Sequence, residues 1–208
     1  MRRPRSVKSL EKLGRVQLSE SFFLRDFLYS EISQIEGIPN IPDYPAVAIE
    51  AGTNLCEKVL EPIQQALGKV SIRSGYRSPS VNSMGARNKN QYNCSSNEKN
   101  YAHHIWDYHD KQGDIGATAC VVVNSFVPYY EETGDWQALA WWVHDNIEAY
   151  SSQFYHPKLA AFNVRWARVP EKTIQSYIAP KGYLTKPGMH NHTGSHANFY
   201  DKYLATLC

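Results

Sequence analysis

Between Val47 and Leu67, apolar side chains recur at four-residue steps (Val47, Ala51, Leu55, Val59, Ile63 and Leu67), with Cys56 and Leu60 widening the same stripe. That period puts all of them along one side of a helix, and so long a stripe is stable only when a second layer covers it. Pro45 suits the first turn, where no backbone donor is needed. Pro62 removes a donor and crowds the carbonyl four residues earlier, which predicts a kink or early end. Gly68 supplies the C-terminal stop.

The covering layer has to come from strands. Ala117 to Phe126 carries β-branched valines among small residues and is the best candidate for a strand buried on both faces. Val70–Ser74 alternates and reads as a short strand; Leu159 to Trp166 and Thr173 to Ile178 read as two more, joined by a polar turn with Pro170 and Glu171. Asp135 caps a helix running through Trp136, Leu139, Val143 and Ile147 and carrying His144. Earlier, Ser19 and Ser21 precede Phe22–Tyr29, which predicts a helix of about three turns. Residues 80 to 100, rich in Asn, Ser and Lys, read as a long loop of functional rather than idle character. The order of elements predicts an α+β fold, with helices on one side of a small antiparallel or mixed sheet.

A chain of 208 residues has room for one well-buried core. Its net charge of +2 hides an asymmetry, because Arg2, Arg3, Arg5, Lys8, Lys12 and Arg15 face only Glu11 at the N-terminus. The expected organisation is a basic arm at 1–17, a domain at 18–178 and an extended, His-rich arm at 179–208. Nucleic acid is expected as a partner only through the basic arm. No apolar signal-peptide segment follows the arginines and no run approaches a membrane span, so the chain is expected to act without a membrane, in a cytosol-like compartment. Cys56, Cys94, Cys120 and Cys208 lie far apart, without a Cys-x-x-Cys pair, and read as reduced thiols.

Three short stretches carry a resemblance. Leu18-Ser19-Glu20-Ser21-Phe22 with Leu24-Arg25-Asp26-Phe27, then Val59-Leu60-Glu61-Pro62, then Ser74-Gly75-Tyr76-Arg77-Ser78-Pro79 with Asn82 resemble, in order and spacing, the zinc D-alanyl-D-alanine carboxypeptidase family. That family includes phage endolysins and bacterial peptidoglycan peptidases. The resemblance implies a small α+β domain of the kind also seen in the Hedgehog signalling domain, and it implies that Arg77 holds a substrate carboxylate, for which a guanidinium offers a planar fork. The other reading of Arg77 is a tie to its own loop through backbone carbonyls.

In the family, zinc is held by a Ser-x-His histidine, an aspartate at the start of a buried strand, and the histidine of a later Glu-x-x-His. Such a set leaves a fourth position for the attacking water. Carried onto this chain, the ligands are His104 (or its neighbour His103), Asp110 and His144. The sequence departs from the pattern in three places. Asp110 precedes the strand, and Thr118 to Cys120 stand where the strand aspartate belongs; Trp141 occupies the position three before His144; and the strand that would present a histidine carries Asn163, a poor zinc ligand.

Other readings of the same residues stay open. His103-His104-Ile105-Trp106-Asp107 suits a buried network in which imidazole and carboxylate satisfy each other. Asp107, Asp110 and Asp114 are candidate calcium ligands, and His190, His192 and His196 have chelating spacings or form a polar contact arm. Two functions follow. The first is a phage-type virion or assembly protein on a degenerate, non-catalytic peptidase-like domain, contacting neighbouring subunits in the virion or host cytoplasm. The second is an active zinc peptidase acting on peptidoglycan cross-peptides.

Overall fold

A computed structural model describes residues 2–88, 91–156 and 160–207. The predicted core helix forms as α3 (Pro45–Leu55) and α4 (Glu61–Leu67), separated by one wide π turn at Cys56–Leu60. Glu61 N–H bonds to Cys56 O five residues back, not to Glu57. Pro62 is the cause: with no N–H to offer and its ring pressing on the preceding turn, it relaxes the helix ahead of itself without ending it. Gly68, at φ +86°, then terminates α4 in a backbone region that only glycine occupies freely.

The layer that covers this helix is a six-stranded mixed sheet, and the fold is α+β as expected. Its strands are β1 (Val70–Ser74), β2 (Gly116–Val123), β3 (Tyr150–Tyr155), β4 (Phe162–Ala167), β5 (Thr173–Ser176) and β6 (Gly182–Thr185). They stand in the order β1-β2-β4-β3-β5-β6, all antiparallel except the β3–β5 pair. Alternation decides what each face does. Ala117, Ala119, Val121 and Val123 of β2, with Phe162, Val164 and Trp166 of β4, are buried towards the helices. Thr118 and Cys120, with Asn163 and Arg165, take the opposite face. The alanines of β2 keep its surface low enough for α3 to pack closely, and α8 (Gln137–Asn146) closes over β3, where Gln153 Nε2 donates to Ala140 O at 3.0 Å. Asp135 Oδ1 accepts from Gln137 N and Ala138 N, the expected cap.

Several expectations are corrected. Phe22–Tyr29 is not a three-turn helix but a short 3-10 turn at Leu24–Phe27 behind a Gln17–Phe23 bridge. Ser19 and Ser21 cap nothing there; they bind the buried Glu61 carboxylate, at 2.7 Å from Ser19 Oγ and 2.7 Å from Ser21 N. The region 80–100 holds α5 (Pro79–Arg87) and the single turn α6 (Asn97–Asn100), while its Lys89 and Asn90 lie outside the described residues. Strand β4 starts at Phe162; Leu159 also lies outside the described residues, as does Cys208. The strands at 162–167 and 173–176 are not neighbours, because β3 lies between them.

Neither terminus is an arm. Residues Val7–Gly14 form α1, capped by Ser6 and Ser9, with Leu13 fully buried and Arg3 paired to Asp43 at 2.6 Å. At the other end β6 joins the sheet and α9 (Ala197–Leu204) packs on α8, with Tyr203 against Phe126 at 5.0 Å. One hydrophobic cluster includes both Leu13 and Tyr203. The physical reason is coverage: α8 has apolar residues on more than one side, and α9 buries the side the sheet leaves open.

Candidate functional site: a basic groove on the helix-free face

The face of the sheet turned away from α3 and α8 is the floor of a groove of about 1040 Å³. One row of residues crosses all six strands in register: Ser74, Cys120, Asn163, Phe154, Gln175 and Tyr183. Beside it runs a second row, Thr118, Arg165, Ser152 and Thr173. The walls come from α2 (Glu31–Glu36), the turn after β1 and the segment 91–104.

Trp106 holds the walls to the sheet. Its ring is fully buried against Phe27 (5.2 Å) and Tyr76 (6.2 Å), and its Nε1 donates to Thr118 O at 3.1 Å. A Cβ at Gly75 would stand 2.8 Å from Phe27 and 3.2 Å from Trp106, so the turn can lie on the indole only because residue 75 has no side chain. Gly116 likewise makes room, since a Cβ there would meet Ala102 O at 2.4 Å. Buried asparagines complete the frame. Asn40 donates to Tyr76 O (2.8 Å) and accepts from Ser78 N (2.7 Å), while Asn82 donates to Ser95 O (3.0 Å) and Asn97 Oδ1 (2.9 Å). Ser78 Oγ caps α5 by accepting from Val81 N.

Arg77 lies in the groove wall. Its backbone N–H donates to His104 O at 2.7 Å and its guanidinium reaches Asn82 Oδ1 (3.4 Å) and Cys94 Sγ (3.3 Å). It makes no ion pair with a carboxylate among the described residues. His104 is buried in the same wall. Its Nδ1 lies 2.9 Å from Gly75 O, and since a carbonyl can only accept, Nδ1 carries the proton and Nε2 keeps its lone pair. Burial, then the Arg77 charge, holds this ring well below the usual histidine range. His103 is pushed down to about 4 by burial and then by Arg165.

The three expected zinc ligands do not come together. Asp110 closes its own loop, accepting from Gln112 N (3.0 Å) and Asp114 N (2.9 Å). His144 is on α8, across the sheet from the groove, where it bonds the Tyr150 hydroxyl and donates from Nε2 to His192 O at 2.9 Å. Among the described residues no three His, Cys, Asp or Glu side chains are grouped to hold a metal. The groove floor offers Thr118, Cys120 and Asn163, of which only the thiol is a usual zinc ligand, where a catalytic zinc takes three imidazole, carboxylate or thiolate donors. These residues therefore do not fit a three-ligand zinc centre. The calcium candidates have separate roles: Asp107 Oδ2 caps the start of α3 by accepting from Asp43 N and Tyr44 N, while Asp110 and Asp114 share one loop in which the Asp114 carboxylate pairs with Arg168. In the C-terminal cluster, His196 stacks on Trp141 at 3.9 Å and binds Asp145 at 2.7 Å, and His192 Nε2 meets Lys172 O.

Arg165 is the groove residue that sequence reasoning passed over. It stands on β4 with 7% of its surface exposed; Nε donates to Ala102 O (3.0 Å) and Nη1 to Ser151 Oγ (3.4 Å). Its charge has no ion-pair partner among the described residues; Glu171 and Asp110 act on it only from longer range, and burial lowers its pKa. The signal for it was present in the alternation Phe162-Asn163-Val164-Arg165-Trp166, which puts the two polar residues on one face. Arg73, Lys99, Arg77 and Arg165 against Glu31 and Glu171 make the groove basic, and Tyr29, Tyr92, Phe154, Tyr177 and Tyr183 give it aromatic sides.

Comparison of the chain with family models, with curated proteins and with solved structures finds no match. Among the described residues, no helix is long and apolar enough to cross a membrane.

Proposed function

We propose that this chain is a structural component of an assembly, most simply a phage-type particle, built on a domain that resembles a D-alanyl-D-alanine carboxypeptidase and uses its groove to bind rather than to hydrolyse. The observation that carries the reading is the make-up of the groove: Arg77 in the wall and Arg165 on the floor, neither with a carboxylate partner among the described residues, beside Thr118, Cys120 and Asn163. Guanidinium groups in a walled cleft select carboxylates, and tyrosines along the rim suit an extended peptide, either from a neighbouring subunit or from peptidoglycan. With amides, hydroxyls and a thiol on the floor, the cleft has binding groups but lacks the donor set for an activated water.

The alternative is a zinc peptidase acting on peptidoglycan cross-peptides in the same groove. It draws on the His104 tautomer, whose free Nε2 is the kind of nitrogen a metal takes. Metal analysis of the purified chain, together with incubation on peptidoglycan, separates the two. The expected outcome is peptidoglycan left intact with or without added zinc, and co-purification with particle subunits that Arg77→Ala weakens. Stoichiometric zinc with chelator-sensitive cleavage overturns the proposal.

A further inference from the structure

The groove floor contains two unmet demands side by side. The Thr118 hydroxyl is buried and has no hydrogen-bond partner among the described residues, although the residue is only 5% exposed and lines the groove. An unmet buried hydroxyl destabilises a fold, so its presence asks for a reason. Directly across the β2–β4 pair, Thr118 faces Arg165. Side chains opposed in this way have Cβ atoms about 4.5–5.5 Å apart, within reach of one small shared ligand.

Arg165 has five N–H donors, of which Ala102 O and Ser151 Oγ take two. Among the described residues the remaining donors and the charge have no hydrogen-bond or ion-pair partner. The groups facing Arg165 from packed elements are His103, whose ring is neutral at physiological pH, and, from longer range, Glu171 and Asp110.

We propose that Thr118 and Arg165 together form an oxyanion subsite that takes a single carboxylate, one oxygen on the hydroxyl and the other on the guanidinium. It is distinct from Arg77, which belongs to the groove wall and is committed to Asn82 and Cys94. A carboxylate fits better than a phosphate because the subsite offers one uncompensated positive charge, and a phosphate dianion would be left with a second charge unmatched in a poorly hydrated place. The inference rests on the groove being a binding face, but not on the chain belonging to a particle. One carboxylate at the end of a chain lying between the rim tyrosines points to a peptide C-terminus as the occupant.

The test uses the full chain and three probes: N-acetyl-alanine, its uncharged amide, and inorganic phosphate at matched ionic strength. Binding is read by calorimetry and by the His103 ring signals in NMR, since a carboxylate next to Arg165 changes the field at that ring. The expected result is binding of the carboxylate but not the amide, with His103 shifting on titration. Thr118→Val, which keeps the shape and removes the hydroxyl, should weaken binding about tenfold, and Arg165→Gln by 30-fold or more. Should Arg165→Gln fail to fold, Thr118→Val and the His103 signal still decide. Equal binding of acid and amide, preference for phosphate, or wild-type affinity in Thr118→Val overturns the assignment. The outcome is separable from the assembly proposal, because a chain that hydrolyses peptidoglycan can still pass this test and an assembly protein can fail it.

Discussion

The two faces of one sheet are built from the same strands and answer to opposite rules. Towards α3 and α8, β2 and β4 present Ala117, Ala119, Val121, Phe162, Val164 and Trp166, packed into the hydrophobic core. One residue along, towards the groove, the same strands present Thr118, Cys120, Asn163 and Arg165, with an orphan hydroxyl and an unpaired charge. The first face lowers the free energy of the fold by removing apolar area from water. The second holds the Thr118 hydroxyl and the Arg165 charge, which among the described residues have no hydrogen-bond partner and no ion pair respectively, so it adds little to stability.

The contrast can be broken most sharply by neighbours in sequence. Phe162→Ala should cost about 3–5 kcal/mol in chemical denaturation, since Phe162 is fully buried and stacks on Tyr155 at 4.9 Å. A loss under about 1 kcal/mol would mean the helix-side face does not carry the fold.

Acid should expose the groove side next. His103 and His104 have folded pKa values below the ordinary histidine value, so the unfolded chain binds their protons more readily. Their contribution is therefore fully present above about pH 6.5 and is lost as pH falls towards about 4, the His103 value. For His103 this is on the order of 3 kcal/mol, and His103→Gln should flatten the fall in stability over that window. Asp107, raised by burial, works in the opposite sense, gaining stability as pH falls through its own raised value. An unchanged acid profile in His103→Gln would remove that ring from the account.

The smallest effect belongs to the groove floor itself. Asn163→Ala should change stability by less than about 1 kcal/mol, because its side chain is half-buried in the open groove and, among the described residues, no hydrogen bond ties it to the core. A large loss there, comparable to Phe162→Ala, would erase the distinction between the faces.

How much of this could be read from the sequence depends on what holds each element. The α3–α4 helix and β2 were legible because their burial is written as periodicity, and the Pro62 distortion because proline acts locally. The turn ending at Arg77 was legible from Gly75 and Ser78, whose chemistry is also local. Strands β3 and β6 were missed: Tyr150-Ser151-Ser152-Gln153-Phe154-Tyr155 has little strand character of its own, and becomes a strand by lying between β4 and β5. Helix α9 was missed because its amphipathic face needs α8 to define it. The placement of the expected ligands was not legible for the same reason, since the sequence shows which residues are able to ligate but not that the sheet separates His144 from His104.

The sequence by itself determined that a long apolar helix must be covered by strands, that the chain would be α+β, and that Arg77 would sit on a glycine-built turn. Only the tertiary structure decided that both termini join the core, that the three expected ligands stay apart, and that Arg165 and Thr118 face one groove. Local rules act through neighbours in the chain and can be read along it, whereas the groove is made by register between strands far apart in sequence, where one residue of slip would exchange the two faces.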